Sequence, residues 1–299
     1  MDRLIVWGGT RGAESHRWIH FGFVNAARKM GVTVRWLPDA PDPLDTIQAG
    51  DTVISADIYG QHIPYVPNVD YVLHNFSGDH PLCQSLQETP ERLLRLQVWT
   101  NDATGEMIAP YRKLDREART LFQPWGVDLL AEEFEDPTFS SMSREVVFVG
   151  AIWSDQHSGV EMGNEDAIRE LRAACKENGL TFKHLTQISE REMIDAIRGA
   201  RLAPTVVGQW QCDHDYIPCR AFKNSAYGTL VFSNSKVVNA LFDDPSATTD
   251  VSEMLSQALS VRHNDFLDRV RAQQKITAEF TYRESLNTIE FALAEGRDG

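Results

Sequence analysis

Arg220 and Lys223 stand three residues apart in the stretch from Asp215 to Asn234, which reads DYIPCRAFKNSAYGTLVFSN. Two cations at that spacing share one face of a helix. Pro218 leads into them, and a proline is tolerated in a first helical turn, where its missing N–H removes no bond. Ala221 to Tyr227 therefore reads as a short helix and Gly228 as its left-handed stop. Thr229 to Phe232 reads as a buried strand ending in Ser233, Asn234 and Ser235. A helix start offers free N–H groups and the positive end of a dipole, which together suit an anionic phosphate. The alternative is an ordinary αβ unit whose Arg and Lys are solvated.

The elements that would carry such a site recur along the chain. Arg3 to Trp7 is an apolar strand, Gly8-Gly9-Thr10-Arg11-Gly12 a glycine-rich turn, and Ser15 to Lys29 a helix ending at Gly31. With Val32 to Leu37 as second strand, these form a βαβ unit. The glycines do not spell G-x-G-x-x-G, and Asp39, near the place of the acidic residue in NAD-binding units, lies in the loop-like run PDAPDP. Asp51 to Asp57 and Val69 to Phe76 are further strands, separated by a proline-broken loop. Ligands of open parallel sheets collect outside the carboxyl ends of the strands. That rule groups Gly8, Gly9, Asp57 and the run His74 to His80, with His74, Asp79 and His80 as its polar side chains. The competing reading makes His74 a satisfied strand histidine and Asp79 a helix cap. Glu91 to Trp99 then reads as helix and strand, and Ala118 to Pro124 as a strand.

The acidic, poorly periodic run Ala131 to Ser143 interrupts this order and is the candidate linker. A second series follows: strand Glu145 to Gly150, an amphipathic helix Glu165 to Lys176, strand Thr181 to Leu185, and a helix Ser189 to Arg198 opened by a Ser189/Glu192 capping box. Leu202 to Val207 is a strand, Ser235 to Phe242 a helix, and the chain from Thr249 on is helical. The fold class is thus α/β, with two Rossmann-like domains, 1–130 and 145–299, the second carrying the terminal helices.

At 299 residues, 42% hydrophobic and 24% charged, the chain has the composition of a soluble globular protein long enough for two domains. It has no 18-residue apolar run, and the apolar run after Arg3 is too short for a signal peptide, so the expected location is the cytoplasm. Cys83, Cys175, Cys212 and Cys219 fall in no framework spacing and read as reduced thiols. Cys212, His214 and Cys219 lack the tight pairing of a zinc site, so no metal is expected. A net charge of −14 disfavours an extended polyanion such as nucleic acid, yet it allows a small anion in a local basic pocket.

The proline, Arg220, Phe222, Ala226, Gly228 and the apolar strand after them resemble the donor-binding helix of GT-B glycosyltransferases, specifically the CgeB-like and family 1-like C-terminal domains. Gly126-Val127-Asp128 is similar to a short motif before the second domain of that family, and Thr281-Tyr282 to one that starts its last helix. The resemblance is specific over about 145 to 295, and over 1 to 125 it extends to fold. It departs at Lys223, where many relatives carry an acidic residue for the donor's ribose or sugar.

This resemblance implies two domains facing a cleft, with the last helix packing back onto the first domain. It implies a transferase (EC 2.4 class) moving a sugar from a nucleotide-diphosphate donor to an acceptor hydroxyl, with no cofactor. Arg220 and Lys223 would hold the diphosphate and Gly150 would admit the donor close to the backbone. Gly8 and Gly9 belong to the same donor-binding set; Trp153 or Tyr216 would stack on the base, with plain packing inside the domain as the equal alternative for each, and Asn224 and Asn234, by their location, would bind hydroxyls. An inverting enzyme needs a general base, for which His16, His74 and Asp79 are candidates; a retaining one does not. The acceptor stays open: glycan, lipid-linked intermediate, protein, small molecule or modified nucleic-acid base. Two other classes also stay open: an NAD(P)-linked or epimerase-type nucleotide-sugar enzyme, and a non-catalytic nucleotide or glycan binder.

Overall fold

A computed structural model of the chain describes residues 1–8, 15–40, 46–56, 62–74, 81–99, 113–157, 159–243 and 248–298. The chain divides into two compact units, the first holding Met1–Trp99, Ile108–Leu130 and Thr281–Gly299, the second Ala131–Phe280.

The first unit runs β1 (Arg3–Trp7), α1 (Ser15–Lys29), β2 (Thr33–Leu37), β3 (Thr52–Ser55), β4 (Asp70–His74), α2 (Pro81–Ser85), β5 (Leu93–Gln97), β6 (Lys113–Asp115) and β7 (Thr120–Phe122). These strands form one sheet in the order β2-β1-β3-β4-β5-β7-β6. Every pairing is parallel except that of β6 with β7. β3 and β4 are buried at every residue, the pattern of strands covered on both faces. Where the sequence reads helix then strand over 91–99, only a 3-10 turn, Pro90–Arg92, precedes β5. Three residues are too few for an α-helical turn and its caps.

The second unit runs β8 (Glu145–Val149), a hairpin of β9 (Gln156–His157) and β10 (Val160–Glu161), α3 (Glu165–Glu177), β11 (Thr181–Leu185), α4 (Glu190–Gly199), α5 (Gln209–Asp213), α6 (Cys219–Ala226), α7 (Lys236–Leu241), α8 (Val251–Ser260) and α9 (His263–Ala278). β11 lies parallel beside β8. On the other side of β8 the segment 202–206 follows through a Val146–Leu202 bridge, and beyond it 230–233 through a Thr205–Ser233 bridge. Both segments were expected as full strands. They run extended and hold the sheet through isolated bridges, because side chains, described below, take over part of the ladder.

Local signals account for the helices. Ile168, Leu171, Ala174 and Cys175 form the buried stripe of α3, and full burial of a residue such as Leu171 stabilises by about 1.5–3 kcal/mol. Ser189 and Glu192 close the capping box of α4 in both directions. Gly228, φ 82°, ends α6, and a Cβ there would lie 2.3 Å from the Asp136 carbonyl oxygen.

The last helix, α10 (Tyr282–Asp298), belongs to the first unit. Tyr282 packs edge-on against Phe23 of α1 at 4.8 Å between ring centroids. Arg297 reaches Asp70 of β4 at 3.0 Å, and Arg92 bonds the other oxygen of that carboxylate. The two short motifs singled out in the sequence meet here: Val127 bridges Thr281, and Tyr282 N–H donates to the Val127 carbonyl at 3.1 Å. All four cysteines are free thiols, and among the described residues no helix is long and apolar enough to cross a membrane.

Candidate anion site at a sheet edge

Arg220 sits in the first turn of α6, whose N-cap is Pro218. Its Nε donates to the Val149 carbonyl at 2.6 Å and its Nη1 to the Val206 carbonyl at 3.2 Å. Val149 ends β8 and Val206 ends the neighbouring parallel segment, so one guanidinium closes the carboxyl edge of two strands. Its Cζ also lies 4.0 Å from the centroid of the Phe148 ring, a stacking geometry that suits a planar cation.

Among the described residues no carboxylate pairs with Arg220, and its Nη2 makes no hydrogen bond. Burial pushes the guanidinium pKa down to about 10, which still leaves it protonated at neutral pH. A half-buried cation with a donor to offer, held by two carbonyls and a stacked ring, is a place where an anion is stabilised by charge-assisted hydrogen bonds.

Gly150, the residue after β8, forms the wall of this site. Its φ is 137°, and a Cβ there would stand 2.3 Å from Arg220 Nη2. Only glycine leaves room for the guanidinium to lie against the backbone. The Gly150 N–H donates to the Leu185 carbonyl at 3.1 Å, and the Gly150 carbonyl lies 2.7 Å from His184 Nε2.

The other expected residues fall in several places. Lys223, one turn beyond Arg220, is buried at 7% exposure rather than facing solvent. Asn224 is in the core: its Nδ2 donates to the Ala203 carbonyl at 2.6 Å and ties α6 to the sheet. Asn234 grips Val207 in both directions, Oδ1 accepting from its N–H at 2.9 Å and Nδ2 donating to its carbonyl at 3.1 Å. It thereby replaces a ladder partner. Trp153 has its backbone held by Asn164, through Oδ1 at 2.9 Å and N at 3.1 Å. Tyr216 is half-buried beside Trp210, whose ring stacks on His214 at 4.3 Å, and burial raises the Tyr216 phenol pKa.

In the first unit, Gly8 has both backbone groups engaged, its N–H to the Leu37 carbonyl at 2.8 Å and its carbonyl to Trp36 Nε1 at 2.6 Å. His74 ends β4 and is 2% exposed, with the Trp125 ring at 5.3 Å and the Trp99 ring at 6.0 Å. His16 lies in α1, its side chain outside the described residues, as are Gly9, Asp57, Asp79 and His80.

A cavity of about 610 Å³ opens in the second unit, and its lining includes Val207, the residue after Arg220's second acceptor, and Asn234. Glu161, Asp166, Glu170, Asp213 and Asp215 line it against a single Lys236. It is an acidic space that Arg220 does not line, and sequence reasoning did not find it because its carboxylates come from five separate positions along 161–215. Glu161 itself accepts from Ser154 Oγ, Asp155 N–H, Gln156 Nε2 and Gly163 N–H. Those bonds, the Ser154 hydroxyl foremost, hold its carboxyl down at about 2. Among the described residues no group of three or more His, Cys, Asp and Glu is placed to hold a metal ion.

No protein-family description matches the chain, and no curated protein matches it. Among solved structures it is similar to OtsA in its apo form, at 10% identity over 98% of this chain and 99% of that one, with a TM-score of 0.55. It is also similar to T4 phage BGT in complex with its UDP-glucose substrate, at 9% identity over 97% and 99%, with a TM-score of 0.47. The first likeness is one of fold: the chain has the GT-B fold expected from its sequence.

Proposed function

We propose that this protein is a glycosyltransferase that moves a sugar from a nucleotide-diphosphate donor to an acceptor hydroxyl, with Arg220 stabilising the departing diphosphate. In the step, the bond from the sugar's anomeric carbon to the diphosphate oxygen breaks with its electron pair going to the diphosphate. The acceptor oxygen bonds the same carbon and gives up its proton. Negative charge therefore develops on the leaving oxygens, where a preorganised cation counts most. The observation that carries this reading is the Arg220 guanidinium, fixed by two strand-end carbonyls and a stacked ring, with no carboxylate partner among the described residues. With this cation in place the reading requires no metal.

The fold supports the reading by placing the cation at the carboxyl edge of a parallel sheet, where such sheets bind ligands. Lys223, the second cation of α6, is the companion candidate for the diphosphate. The acidic cavity lined by Val207 and Asn234 offers acceptors for ribose or sugar hydroxyls, a role for which position 223 has no carboxylate. Gly8, Gly9, Trp153 and Tyr216 remain proposed donor contacts, while Asn224 and Asn234 are engaged with backbone groups. His16, His74 and Asp79 are the proposed bases if the enzyme inverts.

The test is release of nucleoside diphosphate from UDP-, GDP-, dTDP- and ADP-sugars, with water as the default acceptor. One donor is expected to be cleaved, and Arg220→Ala to slow it by about 10²–10³, the effect of losing one preorganised donor. In the same assay an inverting enzyme slows with His16→Ala, His74→Ala or Asp79→Ala. No release from any donor, or equal release by Arg220→Ala, contradicts the proposal.

A further inference from the structure

We infer that His184 is a positioning residue for the Arg220 site, acting through the Gly150 peptide; the inference rests on the anion-site reading above. His184 lies at the carboxyl end of β11, the strand beside β8, with its ring exposed and its Nε2 2.7 Å from the Gly150 carbonyl oxygen. A carbonyl only accepts, so Nε2 carries the proton and donates. That bond joins two others on the peptides that flank Gly150 and a third that anchors the same guanidinium. The Gly150 N–H is held by the Leu185 carbonyl and the Val149 carbonyl by Arg220 Nε, while Arg220 Nη1 is held by Val206.

The geometry explains why such a clamp matters at this residue. Gly150 stands at φ 137°, a conformation that glycine leaves readily because many others are open to it. Arg220 Nη2 lies against its Cα face so closely that a Cβ would be 2.3 Å away. A turn of this peptide would therefore move the wall on which the guanidinium rests. His184 fixes the carbonyl side of the peptide and so fixes the direction in which Nη2 points. It need not touch the anion to do this, and its effect is one of preorganisation.

The experiment uses the full chain as wild type, His184→Ala, His184→Gln and Arg220→Ala. Glutamine is chosen because its Nε2 can donate from about the place of the histidine Nε2. Binding of inorganic pyrophosphate and UDP is titrated by calorimetry, and the Gly150 amide is followed by NMR in the same samples. Wild type is expected to bind and Arg220→Ala to lose binding. His184→Ala should weaken it about tenfold, the factor equivalent to one net hydrogen bond, with His184→Gln restoring it. The Gly150 resonance should move in His184→Ala and return in His184→Gln. Equal binding by wild type and His184→Ala overturns the inference, as does equal weakening by both substitutions. If wild type binds neither probe, the anion-site reading fails on its own. The NMR arm then still decides whether His184 holds Gly150: an unmoved resonance in His184→Ala means that it does not.

Discussion

Arg220 was legible because its chemistry is local: a proline, a cation and a helix start lie within three residues of one another. What the guanidinium touches was not legible, since Val149 and Val206 come from elements 71 and 14 residues away. The same holds for Asn224 and Asn234, which read as hydroxyl binders while the structure sets them on backbone groups of the neighbouring segment. An amide side chain serves either partner equally well, and only the fold decides which one it meets. Gly150 marks the opposite case, a glycine after an apolar strand whose value lies in having no side chain. In Gly150→Ala the new methyl meets Nη2 and the backbone is held at a φ that L residues rarely adopt. We expect a stability loss of about 1–3 kcal/mol in urea denaturation, together with loss of nucleotide binding. Unchanged stability would mean that the peptide flips freely and that Gly150 is no wall.

At the level of elements, α1, α3, α4, β8 and β11 were legible from apolar periodicity and caps. The segments 202–207 and 229–232 were read as complete strands because their apolar runs are those of buried strands. In the molecule part of their pairing is done by side chains. Asn234 serves Val207, and Gln273 of α9 takes both the N–H and the carbonyl of Val231, at 2.8 and 2.9 Å. Such substitutions leave no periodic trace. The loop that carries β9 and β10 was likewise invisible, because it is organised by one carboxylate, Glu161, with four donors around it. Its folded pKa is depressed, so its contribution to the order of the loop is complete above the ordinary value of 4.5 and is lost as pH falls toward about 2. The carboxyl carbon shift of Glu161 should titrate near 2, and the Asp155 and Gly163 amides should move with it. A midpoint near 4.5 would show that the four bonds do not form.

The whole molecule is an acidic α/β chain with a mainly parallel sheet in the first unit and parallel pairing in the second, and that much follows from two runs of alternating strand and helix. The membership of α10 in the first unit was not readable from periodicity. It depends on Thr281 pairing with Val127 and on Arg297 meeting Asp70, contacts of 154 and 227 residues' separation. Net charge has its consequence at this scale too. A chain of −14 attracts no anion as a whole, so any binding of a nucleoside diphosphate must come from a local cation held in a fixed place. The most direct measurement is therefore the thermal shift of wild type and Arg220→Ala with UDP, GDP, dTDP, CMP, ADP and NAD, each near millimolar. A ligand at about 100 times its Kd stabilises by about 2.7 kcal/mol, a shift of several degrees. The account predicts that one nucleoside diphosphate raises the melting temperature of wild type and leaves Arg220→Ala unmoved. No shift with any diphosphate, or the same shift in both proteins, would contradict it.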